Sequence, residues 1–293
     1  MMKKYTSLCF TALMVPSVNA AIVFNDSFDD GGFTDGADLT DTAWHGTTGD
    51  SAIEIFGGDL SLRSGTSGRG LHAVFPTQTL SMVGDKITAS FTFTTPTTVG
   101  ASKSGAFRIG LFNSNGETIH TQDGNSSSDA AWNNVLGNMV DLDIATGGSE
   151  NFQFREKPLG LTGNRLLGTT SGFVSQGSGG EATNYVFAAN TTYTGTYSIE
   201  QTGVSEWMIR SSLDDGAISD FEIRTVTSLN TSNYDILAFH VNSSTFGSTN
   251  AGGDADNGID FQNVTLEFDG VPEPSSILLS LIGGMMCFKR RRA

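Results

Sequence analysis

Strict alternation of apolar and polar residues in short segments along the chain constrains this sequence more than any other feature. In residues 86–93, Ile87, Ala89, Phe91 and Phe93 fall on one side and Thr88, Ser90 and Thr92 on the other. That two-residue period belongs to a strand with one face in a core and the other in water. Tyr193, Gly195, Tyr197 and Ile199 repeat it. Gly, Asn, Asp and Ser divide such segments, and no run of helical period reaches about eleven residues. The pattern predicts strands over 52–56, 60–63, 71–75, 86–93, 107–112, 139–144, 151–155, 193–201, 207–211, 219–226, 234–241 and 263–268. That many strands would overtwist one open sheet. The fold expected is therefore all-β, an antiparallel two-sheet jelly-roll sandwich.

The 293 residues include 16 Lys or Arg and 31 Asp or Glu, a net charge of -15, and 38% are hydrophobic. That apolar content supplies one large core and excludes disorder throughout. The acidic balance excludes nucleic acid as a partner, since phosphate binding needs clustered Lys and Arg.

Both ends read as processing signals. Lys3 and Lys4 precede an apolar stretch over 8–15, then Pro16 and Val18-Asn19-Ala20, the layout of a secretory signal in 1–20 cut by signal peptidase after Ala20. The alternative is a buried N-terminal helix. At the other end, Pro272-Glu273-Pro274 cannot continue a helix or a central strand and forms an extended tether. The uncharged run 277–288 would make a helix of about 18 Å, short of a bilayer core of about 30 Å. Arg290, Arg291 and Arg292 then hold the end cytoplasmic and orient the body to the exported side.

Residues 271–293 resemble the PEP-CTERM sorting signal of Gram-negative bacteria, through Pro272-Glu273-Pro274, Ser275-Ser276, Leu278-Leu279, Gly283-Gly284 and the terminal arginines. The resemblance implies recognition by an exosortase. It also implies transient membrane insertion of the C-terminal helix and transfer of the body across the inner membrane to the cell envelope, the surface or an exopolysaccharide matrix. An ordinary tail anchor is the alternative.

The expected organisation is a signal peptide (1–20), a β-sandwich (21–270) and the sorting segment (271–293). Cutting both ends removes six of the basic residues and Glu273, leaving 10 basic and 30 acidic residues and a net charge of -20 on the body. Cys9 and Cys287 leave with the ends, so the body has neither disulfide nor thiol chemistry. The glycine-rich stretch 145–184 reads as long, mobile loops around the short strand at 151–155. The strings from Leu60 through Gly84-Asp85-Lys86 to Phe107-Arg108-Ile109-Gly110-Leu111-Phe112, and the closing Ile259-Asp260-Phe261-Gln262-Asn263-Val264, are similar in style to concanavalin A-like lectin and glucanase sandwiches.

Glucanases of that fold carry two glutamates flanking an aspartate at alternate positions of one strand, so that the carboxylates share a cleft. The nearest segment here, Val140-Asp141-Leu142-Asp143-Ile144-Ala145, has two aspartates, no glutamate and Ala145 in the third place. The expectation is a wet face of Asp141 and Asp143 over a core face of Val140, Leu142 and Ile144, without catalysis. Asp26 and Asp29 near the start of the body, with Asp256 and Asp260 near its end, are hard oxygen ligands suited to a structural Ca²⁺ if the first and last strands lie side by side. Solvated acidic loops are the alternative. His45, His72, His120 and His240 show no zinc-ligand spacing, and no serine-hydrolase elbow is present.

Trp44 and Trp132 stand in polar segments, where an exposed ring would stack on a sugar. A ring folded over a sandwich edge is the alternative, and Trp207 is assigned to the core. The function expected is a non-enzymatic exported β-sandwich that binds extracellular polysaccharide or builds the matrix. A carbohydrate-active enzyme on the same fold and a surface adhesin stand as alternatives.

Overall fold

Alternation becomes two sheets in the computed structural model, which describes residues 20–29, 44–46, 53–62, 68–99, 107–117, 130–142, 151–161, 166–168, 170–179, 186–217, 219–242, 245–246 and 258–271. The secretory signal before Ala20 and the sorting segment beyond Val271 lie outside these residues. Among the described residues no helix is long and apolar enough to cross a membrane.

The strands are β1 (Ala21–Asp26), β2 (Trp44–Gly46), β3 (Ile53–Phe56), β4 (Asp59–Leu62), β5 (Arg69–Thr79), β6 (Lys86–Thr94), β7 (Phe107–Asn113), β8 (Leu136–Leu142), β9 (Phe152–Lys157), β10 (Val174–Gly179), β11 (Thr192–Gly203), β12 (Glu206–Asp214), β13 (Ser219–Val226), β14 (Asn233–Val241) and β15 (Ile259–Asp269). One 3-10 turn, Ala130–Asn133, precedes β8. An eight-stranded sheet runs β13-β12-β11-β6-β15-β4-β3, with β1 also paired to β15, and a seven-stranded sheet runs β10-β9-β8-β7-β14-β5-β2. All the pairings are antiparallel. β15 lies beside β6 on one flank, while its other flank is shared end to end by β4 and β1.

The inward faces of both sheets meet in a core dominated by rings. Phe91, Phe93, Phe107, Phe239 and Phe261 pack at centroid distances of 4.8 to 6.4 Å in stacked, tilted and edge-on pairs. Such contacts add to the burial of a large apolar area. Gly195 interrupts the aromatic alternation of β11 for a steric reason: it lies opposite Phe91, and a Cβ there would run into the Phe91 ring.

Two expectations change. The stretch 145–184, read as mobile loops around a short strand at 151–155, carries that strand as β9 and adds an unexpected edge strand, β10, and within it Leu166, Leu167 and Phe173 are buried. β10, Val-Ser-Gln-Gly-Ser-Gly, lacks an apolar period because backbone pairing with β9 makes it a strand and small residues let β13 approach. β1 and β2 were not anticipated either. Both are short, and acidic or glycine-rich flanks hide their alternation.

Candidate functional site

Among the described residues, the face of the seven-stranded sheet turned away from the core carries a cluster of titratable groups. In register, one row crosses it as His45, His72, Ala238, Gly110, Met139 and Arg155, and the next as Gly70, His240, Arg108, Asp141 and Gln153. This face is not open. A second apolar cluster of Phe112, Trp132, Val135, Met139, Leu166, Leu167, Phe173, Ile236 and Ala238 lies on it. The Trp132 ring meets His72 edge-on at 5.2 Å, and His72 in turn packs against His45 at 5.6 Å.

Asp141 points away from the core as expected, but it is buried rather than wet. Arg108 Nε donates to its Oδ1 at 3.1 Å, Arg155 Nε stands 3.9 Å from Oδ2, and the second arm of Arg108 donates to the Leu167 carbonyl at 2.8 Å. Val140 and Leu142 are in the core as predicted, while Asp143 lies outside the described residues. The carboxylate is thus engaged by the Arg108 guanidinium, with a second guanidinium close by. At the end of the same face Lys157 is fully buried, with Nζ 3.4 Å from the Asn133 carbonyl. Burial pushes its pKa down to about 8.

Trp44 and Trp132 do not present rings to solvent, since each is 1% exposed. Trp44 sits in the main core against Phe24, Phe28 and Phe239, and its indole N–H donates to Asp26 Oδ2 at 2.8 Å. Trp132 is the largest member of the second apolar cluster. Trp207 packs against the core, as assigned.

The acidic ends do come together in sequence order, with β1 beside β15, but not in orientation. Asp26 lies opposite Val264 on the core face, where its carboxylate also accepts from the Phe28 N–H at 2.9 Å. Asp260 lies opposite Ser61 and Thr94 on the outer face and accepts from Ser61 Oγ. One cation cannot be shared across the thickness of a sheet. Asp29 is exposed and beside Asp59, whose pKa is raised by burial and further by the Asp29 charge. Asp256 lies outside the described residues, and among those described no group of three or more His, Cys, Asp or Glu side chains is placed to hold a metal. Ala20, the expected cleavage position, is exposed immediately before β1.

The outer face of the eight-stranded sheet is the opposite in character. Asn25, Thr265, Ser90, Thr196 and Ser212 form one cross-strand row, and Asn263, Thr92, Thr194, Asp214 and Ser219 the next. The side chains bond to one another. Thr196 and Ser212 share a hydrogen bond of 2.6 Å, and Thr265 donates to Asn25 at 2.6 Å. Between β6, β11, β12 and β13 these rows form an open groove of about 300 Å³ lined by Ser90, Thr92, Thr194, Thr196, Ser212 and Asp214. Hydroxyls both donate and accept, so this surface matches other hydroxyl-bearing groups without demanding a charge. Sequence reasoning took these residues only as the wet side of strands.

No protein-family model matches the chain, and no curated protein matches it. Solved structures do. The exoplasmic/lumenal domain of VIP36 in its metal-free form has a TM-score of 0.50 at 7% identity, over 87% of this chain and 95% of that one. An endo-1,3-beta-glucanase from Streptomyces sioyaensis has a TM-score of 0.49 at 14% identity, over 88% and 99%. A Lotus tetragonolobus seed lectin has 0.48 at 10%, over 86% and 99%. At such identities the likeness is one of fold, and the fold is an all-β, antiparallel two-sheet jelly-roll sandwich of the concanavalin A-like kind.

Proposed function

We propose that this protein is a non-catalytic glycan-binding sandwich of the cell surface or extracellular matrix, exported through its N-terminal signal and sorted by an exosortase through residues 271–293. The observation that carries the binding part is the open groove of hydroxyl groups on the eight-stranded sheet. VIP36, whose domain has the same fold, is known in a Ca²⁺/Man-bound form, which supports sugar binding by such a sandwich. Glycoside hydrolysis needs two usable carboxylates about 5 to 9 Å apart. Asp141, nearest to that role, is instead committed to Arg108, which favours binding over catalysis.

The sorting part rests on the sequence of the tail. Expression in a host with and without its exosortase, followed by mass and location of the product, tests it. A surface or released form lacking 277–293 only when the enzyme is present is the expected result. An intact C-terminus retained in the membrane of both strains would overturn it. For binding, retardation of the protein in gels containing soluble neutral polysaccharides is expected, and unchanged mobility in all of them would overturn that part.

A further inference from the structure

β13 inverts the usual pattern of a half-buried strand. Asp220, Glu222 and Arg224 turn inward, opposite Leu213, Ser211 and Ile209, while Phe221 and Ile223 turn outward, opposite Ser212 and Arg210. The inward carboxylates have partners. Buried Asp220 accepts from Asn151 Nδ2 at 2.5 Å, and Glu222 pairs with Arg224 at 2.9 Å. This pair closes against β10, where a Cβ on Gly179 would meet the Glu222 carboxylate. A slip of one residue would bury Phe221 and Ile223 and release the charges to water, the arrangement that burial alone favours. The structure leaves the two side chains 43% and 42% exposed.

Phe221 is in register with the hydroxyl groove. From it, Ser212, Thr196, Ser90, Thr265 and Asn25 follow strand by strand from β13 to β1. At about 4.8 Å per strand the row is about 24 Å long, which suits a chain of sugars better than one. An exposed aromatic face stacks on the apolar face of a sugar ring, and neighbouring hydroxyls and carboxamides exchange hydrogen bonds with its hydroxyls. One further hydroxyl in the next row, Thr88 Oγ1, is out of solvent and has no hydrogen-bond partner. Charge decides the class of glycan. The body carries a net charge of -20, and the groove's own ionisable side chain is the carboxylate of Asp214, so a polyanion is repelled. A protein contact is less well matched, because Phe221 and Ile223 alone, bordered by Ser212 and Arg210, fall short of an apolar patch of a few hundred Å².

We propose that this row is the contact strip for a neutral, extended polysaccharide, with Phe221 as its stacking platform. The inference rests on the glycan-binding reading above and gives it a face, a ring and a ligand class.

The test is affinity electrophoresis of the full protein in gels containing hydroxyethyl cellulose, galactomannan, dextran or polygalacturonate. The variants are Phe221→Ala, Phe221→Leu, Phe221→Trp and Ser212→Ala, each checked for an unchanged urea midpoint. Wild type and Phe221→Trp should be retarded by at least one neutral polymer and not by polygalacturonate. Phe221→Ala and Phe221→Leu should bind it roughly three- to tenfold more weakly, and Ser212→Ala about threefold. Wild-type retardation that survives unchanged in all four variants would overturn the strip while keeping glycan binding. Retardation by none of the neutral polymers would overturn both. Full binding by Phe221→Leu, with a concentration-dependent dimer lost in Phe221→Ala, would overturn the strip in favour of a protein contact.

Discussion

The Arg108 guanidinium and the Asp141 carboxylate meet at 3.1 Å across β7 and β8, with side chains only 7% and 4% exposed. Removing one partner leaves a buried charge, whereas replacing both with apolar groups does not. Asp141→Leu should therefore lower stability by about 3 to 5 kcal/mol in urea unfolding, and Arg108→Met/Asp141→Leu should recover most of it. If Asp141 were instead a catalytic group in an open cleft, the single variant would cost little stability.

Trp44 and Asp26 form the second buried polar contact to probe. Trp44→Phe removes the indole donor from a carboxylate that is 2% exposed and thins the core around Phe24 and Phe239. A loss of about 2 to 4 kcal/mol is expected. Because Asp26 faces the core and not a cation, the loss measured in CaCl₂ should equal that measured in EDTA.

Lys157 gives stability a pH dependence of definite sign. Its pKa is pushed down to about 8 by burial, below the value of about 10.4 of an unfolded lysine. The charged form is thus penalised in the fold fully below pH 8. The penalty fades as pH rises toward 10.4, because there the unfolded chain holds the proton that the fold has released. Lys157→Met should be more stable than wild type at pH 7 by about 1 to 3 kcal/mol and lose most of that advantage by pH 10, as read by thermal denaturation at both values.

Gly195 lies under the groove, and its lack of a side chain makes room for the Phe91 ring. Gly195→Ala should cost about 1 to 3 kcal/mol through overpacking, and Phe91→Leu in the same chain should relieve part of it. Urea midpoints of the two single variants and the double variant provide the check.

The alternation of Ile87, Ala89, Phe91 and Phe93, and of Tyr193 to Ile199, is reproduced residue by residue in the core, because a two-residue period is a local property. What the sequence concealed depends on distant chain segments. Trp132 looks exposed beside Asn133 and Asn134 until Leu166, Leu167 and Phe173 are laid over it. Asp141 looks wet until Arg108 arrives from another strand. β13 is legible as a strand in 219–226. Which of its faces turns inward follows from Asn151 and the glycines of β10, and no local pattern reports those. The hydroxyl rows were equally hidden, since their members come from six strands.

The pairing of Ala21 with Phe268, and of Asp26 with Val264, has a consequence for how the chain must be made. Of the described strands, the first to be synthesised, β1, finds its place in the sheet only when the last, β15, is available. Until then β1 is an unpaired edge and the ring core lacks Phe261, Val264 and Leu266. Pairing over so long a separation slows folding and exposes the incomplete sheet to misassociation. Truncation anywhere before β15 therefore removes the shared neighbour of β1, β4 and β6 at once rather than trimming an edge.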